Sequence, residues 1–98
     1  MNKIPYEERC EVYDAALVKW GEAAQITVAI EEMSEVIKAL TKFIREPEPT
    51  GNALPSIIEE VADATIMLEQ LRLIFGINDE VCEAMDAKIE RLKERVSG

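Results

Sequence analysis

Apolar side chains recur at intervals of three and four residues in four separate segments of this chain, and this spacing strongly constrains its fold. Such a period places apolar residues along one side of an α-helix, whereas a strand requires strict alternation. The sequence has no strand-like alternation and no glycine-rich phosphate loop. With 98 residues, 48% of them apolar, the chain can build one modest core. We therefore predict a single domain over residues 1–98, folded as an all-α four-helix bundle.

Breaking and capping residues predict the helix boundaries. Gly21 interrupts the first apolar pattern, and three prolines and a glycine make residues 46–55 a loop. Ser56 and Glu59 have the spacing of a capping box, and Gly76 suits a left-handed helix end. The expected helices run from about Pro5 to Lys19, from about Glu22 to Arg45, from Ser56 to Phe75, and from a cap at Asn78 or Asp79 towards the C-terminus.

The same periodicity predicts which side chains form the core. The third helix is apolar on more faces than three neighbouring helices would cover, which predicts self-association. The expected core stripes are Tyr6, Cys10, Tyr13, Leu17 and Trp20 on the first helix; Ile26, Ile30, Met33, Ile37, Leu40 and Ile44 on the second; Ile57, Val61, Ala64, Leu68 and Phe75 on the third; and Val81, Met85, Ile89, Leu92 and Val96 on the fourth.

The charge and the residue types that are absent exclude several classes of function. The chain has 20 acidic and 11 basic residues, so its net charge of −9 argues against binding to a nucleic acid duplex. No segment has the apolar length of a membrane span, and Cys10 and Cys82 form no disulfide or redox motif. We therefore expect a cytoplasmic protein with reduced thiols. Because there is no histidine, any metal site must use oxygen ligands, which suit hard cations such as Mg²⁺.

Two pairs of carboxylates lie beside the apolar stripes. Glu32 and Glu35 are three residues apart on the second helix, and Glu60 and Asp63 have the same spacing on the third. Residues three apart project only about 60° from one another, so each pair can share a ligand. Either pair alone would be read as a solvated acidic face. Together, on consecutive antiparallel helices, they predict a four-carboxylate site for a hard cation.

The segments EEMSE (31–35) and EVAD (60–63) resemble the signature of the MazG-like all-α nucleoside triphosphate pyrophosphohydrolases, an EExxE segment followed by ExxD. The resemblance extends from about Trp20 to the end of the chain. It implies that Glu32, Glu35, Glu60 and Asp63 bind Mg²⁺, or Mn²⁺ in its place. It also implies hydrolysis of a nucleoside triphosphate to the monophosphate and pyrophosphate by a homodimer or homotetramer. Glu32 is the candidate to accept a proton from the attacking water.

Further residues are candidates for contacting the nucleotide. Lys88, Arg91 and Arg95 share one face of the fourth helix and resemble the basic C-terminal helix of the family, although pairing with neighbouring glutamates explains them equally well. Gln25 lies two turns before Glu32 and is a candidate for base recognition, the alternative being an exposed glutamine. Trp20 is expected in the core rather than stacked on a base.

Three other functions stay open at this point. Phosphoribosyl-ATP pyrophosphohydrolases share the acidic motifs but usually carry a histidine after ExxD, and this chain has none. A dUTPase-type specificity is a second alternative, although those chains are usually longer. The third is a non-catalytic helical module that recruits a protein partner and retains the carboxylates without using them. A Mg²⁺-dependent release of pyrophosphate separates the enzymes from this module.

Overall fold

The computed structural model describes residues 3–46 and 53–98, and these residues form four α-helices and no strand. The helices are α1 (Tyr6–Trp20), α2 (Glu22–Arg45), α3 (Ala53–Ile74) and α4 (Asn78–Ser97). The all-α class and the four helices predicted from the periodicity are confirmed. No helix in the described part of the chain combines the length and the apolar character that crossing a membrane requires.

A single glycine joins α1 to α2. Gly21 has φ +90°, a backbone conformation that side chains with a Cβ rarely adopt. Its N–H donates to the Leu17 carbonyl at 2.9 Å, and its own carbonyl accepts the Gln25 N–H at 3.1 Å, so it ends one helix and begins the next. The predicted break is confirmed. Pro5 precedes α1 as its cap instead of forming its first turn.

The start of α3 differs from the prediction. The helix begins at Ala53, so Ser56 and Glu59 lie inside it and do not form a capping box. Pro55 is compatible with this start because the first N–H groups of a helix have no partner within it. Of the predicted loop, residues 53–55 are therefore helical, and residues 47–52 lie outside the described residues.

The turn between α3 and α4 is built around Gly76, which has φ +64°. The Gly76 N–H donates to the Leu73 carbonyl at 3.2 Å, and the Ile77 N–H donates to the Arg72 carbonyl at 2.9 Å. This pair of bonds is the Schellman arrangement expected at a glycine-terminated helix. Because α4 starts immediately afterwards, Ile77 takes the cap position. The predicted cap at Asn78 or Asp79 is therefore wrong.

The helices α2 and α3 form the main packed pair. They are antiparallel, since Val28 lies beside Met67 while Lys42, at the other end of α2, lies beside Ser56. Helix α1 packs on both of them. Helix α4 contacts only α3 among the described helices, and none of its residues is buried. Of the predicted fourth core stripe, Val81 is half-buried and the other four residues are exposed, so α4 does not close a bundle within one chain.

The buried face of α2 is not the predicted isoleucine stripe. Ala29 is buried, whereas Ile30, Ile37 and Ile44 are 60%, 66% and 80% exposed. The small side chains of Ala29 on α2 and Ala64 on α3 are both buried. The other well-buried residues are Tyr13, Met67, Gln25 and Gln70.

Other predicted core residues are also exposed. Trp20 is 59% exposed, and the Lys19 ammonium lies 5.2 Å from the centre of its ring. On α3, Val61 and Leu68 are nearly half exposed. The periodicity located apolar stripes correctly but could not tell which stripe faces a neighbour within the chain.

Both α2 and α3 carry exposed aliphatic side chains. Ile30, Ile37 and Ile44 project about 140° around α2 from Glu32, and Val61 and Leu68 project about 150° around α3 from Asp63 in the same sense. These side chains therefore lie on the far side of each helix from the acids that converge between α2 and α3. The five exposed residues Ile30, Ile37, Ile44, Val61 and Leu68 are named the apolar face.

Candidate metal centre

Three of the four predicted carboxylates converge between α2 and α3. One oxygen from each of Glu32, Glu60 and Asp63 lies within 4.8 Å of the others. Glu32 comes from the middle of α2, and Glu60 and Asp63 come from facing turns of α3. The spacing of three residues on α3 places its two acids on one side of the helix, as the sequence predicted.

The surroundings of this carboxylate cluster (Glu32, Glu60 and Asp63) are partly apolar. Glu32 and Glu60 are half-buried, and Asp63 is exposed. Val28 and Met67 line a hollow of about 200 Å³ that reaches Glu32 and Asp63. This carboxylate hollow gives a small ligand direct access to two of the three acids.

The electrostatics of the cluster favour a cation. Partial burial raises the pKa of Glu32, and so do the charges of Asp63 and Glu60, a hydrogen bond with Asp63 and the charge of Glu35. Among residues 3–46 and 53–98, no lysine or arginine nitrogen lies within 4 Å of an oxygen of the cluster. The negative charges therefore repel one another without a compensating partner from the described chain.

The donor set fits a hard divalent cation. All three donors are carboxylates, the ligand class that Mg²⁺ and Mn²⁺ prefer. Opposite ligands around Mg²⁺ are roughly 4.1 Å apart, because each metal–oxygen distance is about 2.05 Å. Adjacent ligands are roughly 2.9 Å apart, so the cluster oxygens, which lie within 4.8 Å of one another, must move closer together to bind one ion. Three carboxylates also leave positions for water or phosphate oxygens.

The fourth predicted ligand, Glu35, is not part of the convergent group. Its side chain is exposed and lies one turn beyond Glu32. There it lines a second hollow together with Glu60, Lys38, Lys42 and other residues. Its charge still contributes to the raised pKa of Glu32. Glu35 is therefore close enough to act on the cluster electrostatically.

The other predicted binding residues lie apart from the cluster. Lys88, Arg91 and Arg95 are exposed on α4, which does not contact α2. Arg72 of α3, whose guanidinium lies beside Met85 of α4, is nine residues past Asp63, about 13 Å along the helix axis. Within one chain, the structure does not bring the three basic residues to the carboxylates.

Gln25 lies on the inner face of α2 and is only 6% exposed, so the alternative of an exposed glutamine is wrong. It is seven residues before Glu32, about 10 Å along the axis. A role in base recognition stays a prediction.

A polar cluster that the sequence did not reveal lies between α1 and α3. The Arg9 guanidinium donates to the Glu69 carboxylate through Nε at 3.1 Å and Nη2 at 3.2 Å. The Tyr13 hydroxyl also donates to Glu69. Burial and the bond to Glu69 raise the pKa of Tyr13 to about 12. No local motif signals this cluster, because Arg9 and Glu69 are 60 residues apart in sequence.

Comparisons with known proteins add no further identification. No protein-family model, no curated protein and no solved structure matches this chain. The carboxylate geometry and its surroundings therefore provide the basis for assigning a function.

Proposed function

We propose that this protein is a Mg²⁺-dependent nucleoside triphosphate pyrophosphohydrolase. The observation that carries the proposal is the convergence of Glu32, Glu60 and Asp63 from two antiparallel helices, with oxygens within 4.8 Å of one another. Such a cluster suits Mg²⁺, whose usual sites combine a few carboxylates with phosphate oxygens of a substrate. The resemblance of EEMSE and EVAD to the MazG-like signature supports the same function.

The proposed reaction adds water across the phosphoanhydride between the α- and β-phosphates. The bond between one phosphorus and the bridging oxygen breaks, and the water oxygen bonds to that phosphorus, giving the nucleoside monophosphate and pyrophosphate. Mg²⁺ held by the cluster would neutralise charge on the phosphates. Glu32 borders both Asp63 and the carboxylate hollow, so it is the candidate to accept the proton of the water.

Self-association is a second part of the proposal. The apolar face exposes three isoleucines on α2 and two more aliphatic residues on α3. Exposed aliphatic side chains in such number are typical of a protein interface. A second copy could bury it against its own apolar face in a two-fold arrangement. We propose a homodimer on this basis, with a homotetramer if the exposed stripe of α4 also associates.

The reaction products test the proposed function. The purified protein is incubated with Mg²⁺ and a panel of ribo- and deoxyribonucleoside triphosphates, and the products are separated by ion-exchange chromatography. We expect equal amounts of monophosphate and pyrophosphate, and no diphosphate. Asp63→Asn should reduce turnover by at least about 100-fold, a typical loss for a catalytic electrostatic group.

Asp86→Asn provides a matched control, since Asp86 is an exposed aspartate on α4. It should leave turnover unchanged. Release of orthophosphate with a nucleoside diphosphate would refute the mechanism. Absence of turnover with every nucleotide would favour the non-catalytic module instead.

A further inference from the structure

Three hollows neighbour one another around α3. The first, the lysine hollow, lies between α2 and α3 and is lined by Glu35, Lys38, Ala39, Lys42, Ser56 and Glu60. The carboxylate hollow also lies between α2 and α3. The third, the α1–α3 cleft, lies on the α1 side of α3 and is lined by Lys3, Ile4, Arg9, Tyr13, Ala62, Thr65, Ile66 and Glu69.

The hollows are connected through shared residues. Glu60 lines the lysine hollow and is also a member of the carboxylate cluster. Ile66 lines both the carboxylate hollow and the α1–α3 cleft. Ile66 follows Asp63 by three residues, about 5 Å along α3. A ligand can therefore extend from the cluster along α2 and α3 to the lysine hollow, and past Ile66 to the α1–α3 cleft.

The two ends of this series differ in chemistry. The lysine hollow has a volume of about 190 Å³, and the α1–α3 cleft has a volume of about 480 Å³. Among the described residues, neither Lys38 nor Lys42 lies within 4 Å of a carboxylate oxygen. Lys38 and Lys42 are thus not held in an ion pair by the described chain and can contact an anion, although the carboxylates of Glu35 and Glu60 line the same hollow.

The α1–α3 cleft has the mixed lining of a small-molecule site. Ile4, Ala62 and Ile66 provide apolar walls, and Tyr13 with the Arg9–Glu69 pair provides fixed hydrogen-bonding groups. Its volume of about 480 Å³ is in the range of ligand pockets. Walls of this kind accept a flat ring, and the polar groups can bind its edge.

We propose that the nucleoside triphosphate lies along this series in one direction, with its base and sugar in the α1–α3 cleft and its β- and γ-phosphates at Lys38 and Lys42. This inference rests on the proposed function. The scissile bond then lies over the carboxylate cluster, between the two ends. After cleavage, the monophosphate occupies the cleft, and pyrophosphate occupies the lysine hollow.

Separate binding of the two products tests this orientation. Calorimetric titrations with Mg²⁺ present measure the affinity of a nucleoside monophosphate and of pyrophosphate. Ala62→Phe fills the cleft from an exposed position, and we expect it to weaken monophosphate binding at least tenfold while pyrophosphate binding is unchanged. The double variant Lys38→Gln with Lys42→Gln should weaken pyrophosphate binding and leave monophosphate binding unchanged.

Two control substitutions on α4 and a second substitution in the cleft complete the test. Ala84→Phe and Lys93→Gln make the same changes on exposed α4 and should alter neither affinity. Thr65→Phe also fills the cleft. Among the described residues the Thr65 hydroxyl donates only to the Val61 carbonyl of its own helix, so the variant breaks no hydrogen bond between the described helices. Circular dichroism confirms that each variant is folded.

The outcomes separate this inference from the proposed function. Suppose that the wild type hydrolyses nucleoside triphosphates. The orientation is then wrong if both cleft variants weaken the binding of pyrophosphate, or if they weaken the binding of neither product. If the wild type binds the two products in the expected pattern but hydrolyses nothing, the orientation stands and the proposed function fails. A wild type that binds neither product overturns the orientation.

Discussion

Arg9 and Glu69 are joined by two parallel hydrogen bonds, from Nε to Oε1 at 3.1 Å and from Nη2 to Oε2 at 3.2 Å. This fork geometry orients both side chains as well as pairing their charges. Arg9 also donates to the Ile4 carbonyl through Nη1 at 2.8 Å. The pair therefore links α1 to α3 and holds the segment before α1 over the α1–α3 cleft.

The Tyr13 hydroxyl should contribute measurably to the stability of this contact. Tyr13 is buried, and its hydroxyl donates to the charged Glu69. Hydrogen bonds to charged groups contribute more than neutral ones, so Tyr13→Phe should lower the free energy of unfolding by about 1–2 kcal/mol. Urea denaturation measures this difference. Tyr6→Phe, on the exposed start of the same helix, is the control and should change stability little. An equal loss in both variants would contradict a specific role for Tyr13.

Acid should weaken the same contact. Burial opposes ionisation of Glu69, but hydrogen bonds from Tyr13 and Arg9 outweigh it and lower the pKa of this carboxyl below its usual value. A group with a lowered folded-state pKa contributes stability above its unfolded pKa and loses it as the pH falls through the folded one. The difference in the free energy of unfolding between the wild type and Glu69→Gln should therefore be largest at pH 7 and should shrink below about pH 4.5. Urea denaturation at several pH values measures it, and a difference independent of pH would contradict this assignment.

The carboxylate cluster should destabilise the protein when no cation is bound. Asp63→Asn removes one of three mutually repelling charges, so its melting temperature without metal should equal or exceed that of the wild type. Mg²⁺ at 100 times its dissociation constant would stabilise the wild type by about 2.7 kcal/mol. For a domain of this size, that corresponds to a rise of roughly 10 °C or more.

Asp63→Asn should lose most of this Mg²⁺-dependent rise in melting temperature, whereas Asp86→Asn on α4 should retain it. Differential scanning fluorimetry with and without Mg²⁺ makes the comparison. Equal Mg²⁺ responses in the wild type and Asp63→Asn would argue against the cluster as the metal site.

Local signals in the sequence predicted much of the fold and part of the site. The extent of α2 follows from its long periodic pattern, and Gly76 marks the end of α3 through its positive φ. The spacing of Glu60 and Asp63 placed both on one side of α3. These features depend on residues within a few positions of one another, so periodicity and turn chemistry are enough to find them.

Features that depend on packing between helices could not be predicted in the same way. Helix α2 has two faces that can be buried. The face with Ala29 is buried and Ile30 is exposed, and this outcome depends on how the neighbouring helices pack against α2. The pairing of Arg9 with Glu69 is set by the position of α1, which no spacing within the sequence encodes. Both features were therefore apparent only from the structure.

Self-association through the apolar face is the last prediction. The wild type should have a mass above the 11.0 kDa of one chain in light scattering at micromolar concentrations. Ile37→Glu should return it to the single-chain mass, because burying an unpaired charge costs several kcal/mol and a two-fold interface contains the substitution twice. Val18→Glu is the control, since Val18 is 87% exposed and lies on α1, which contributes no residue to this face. It should leave the mass of the assembly unchanged. A wild type of 11.0 kDa, or equal dissociation in both variants, would contradict an interface at the apolar face.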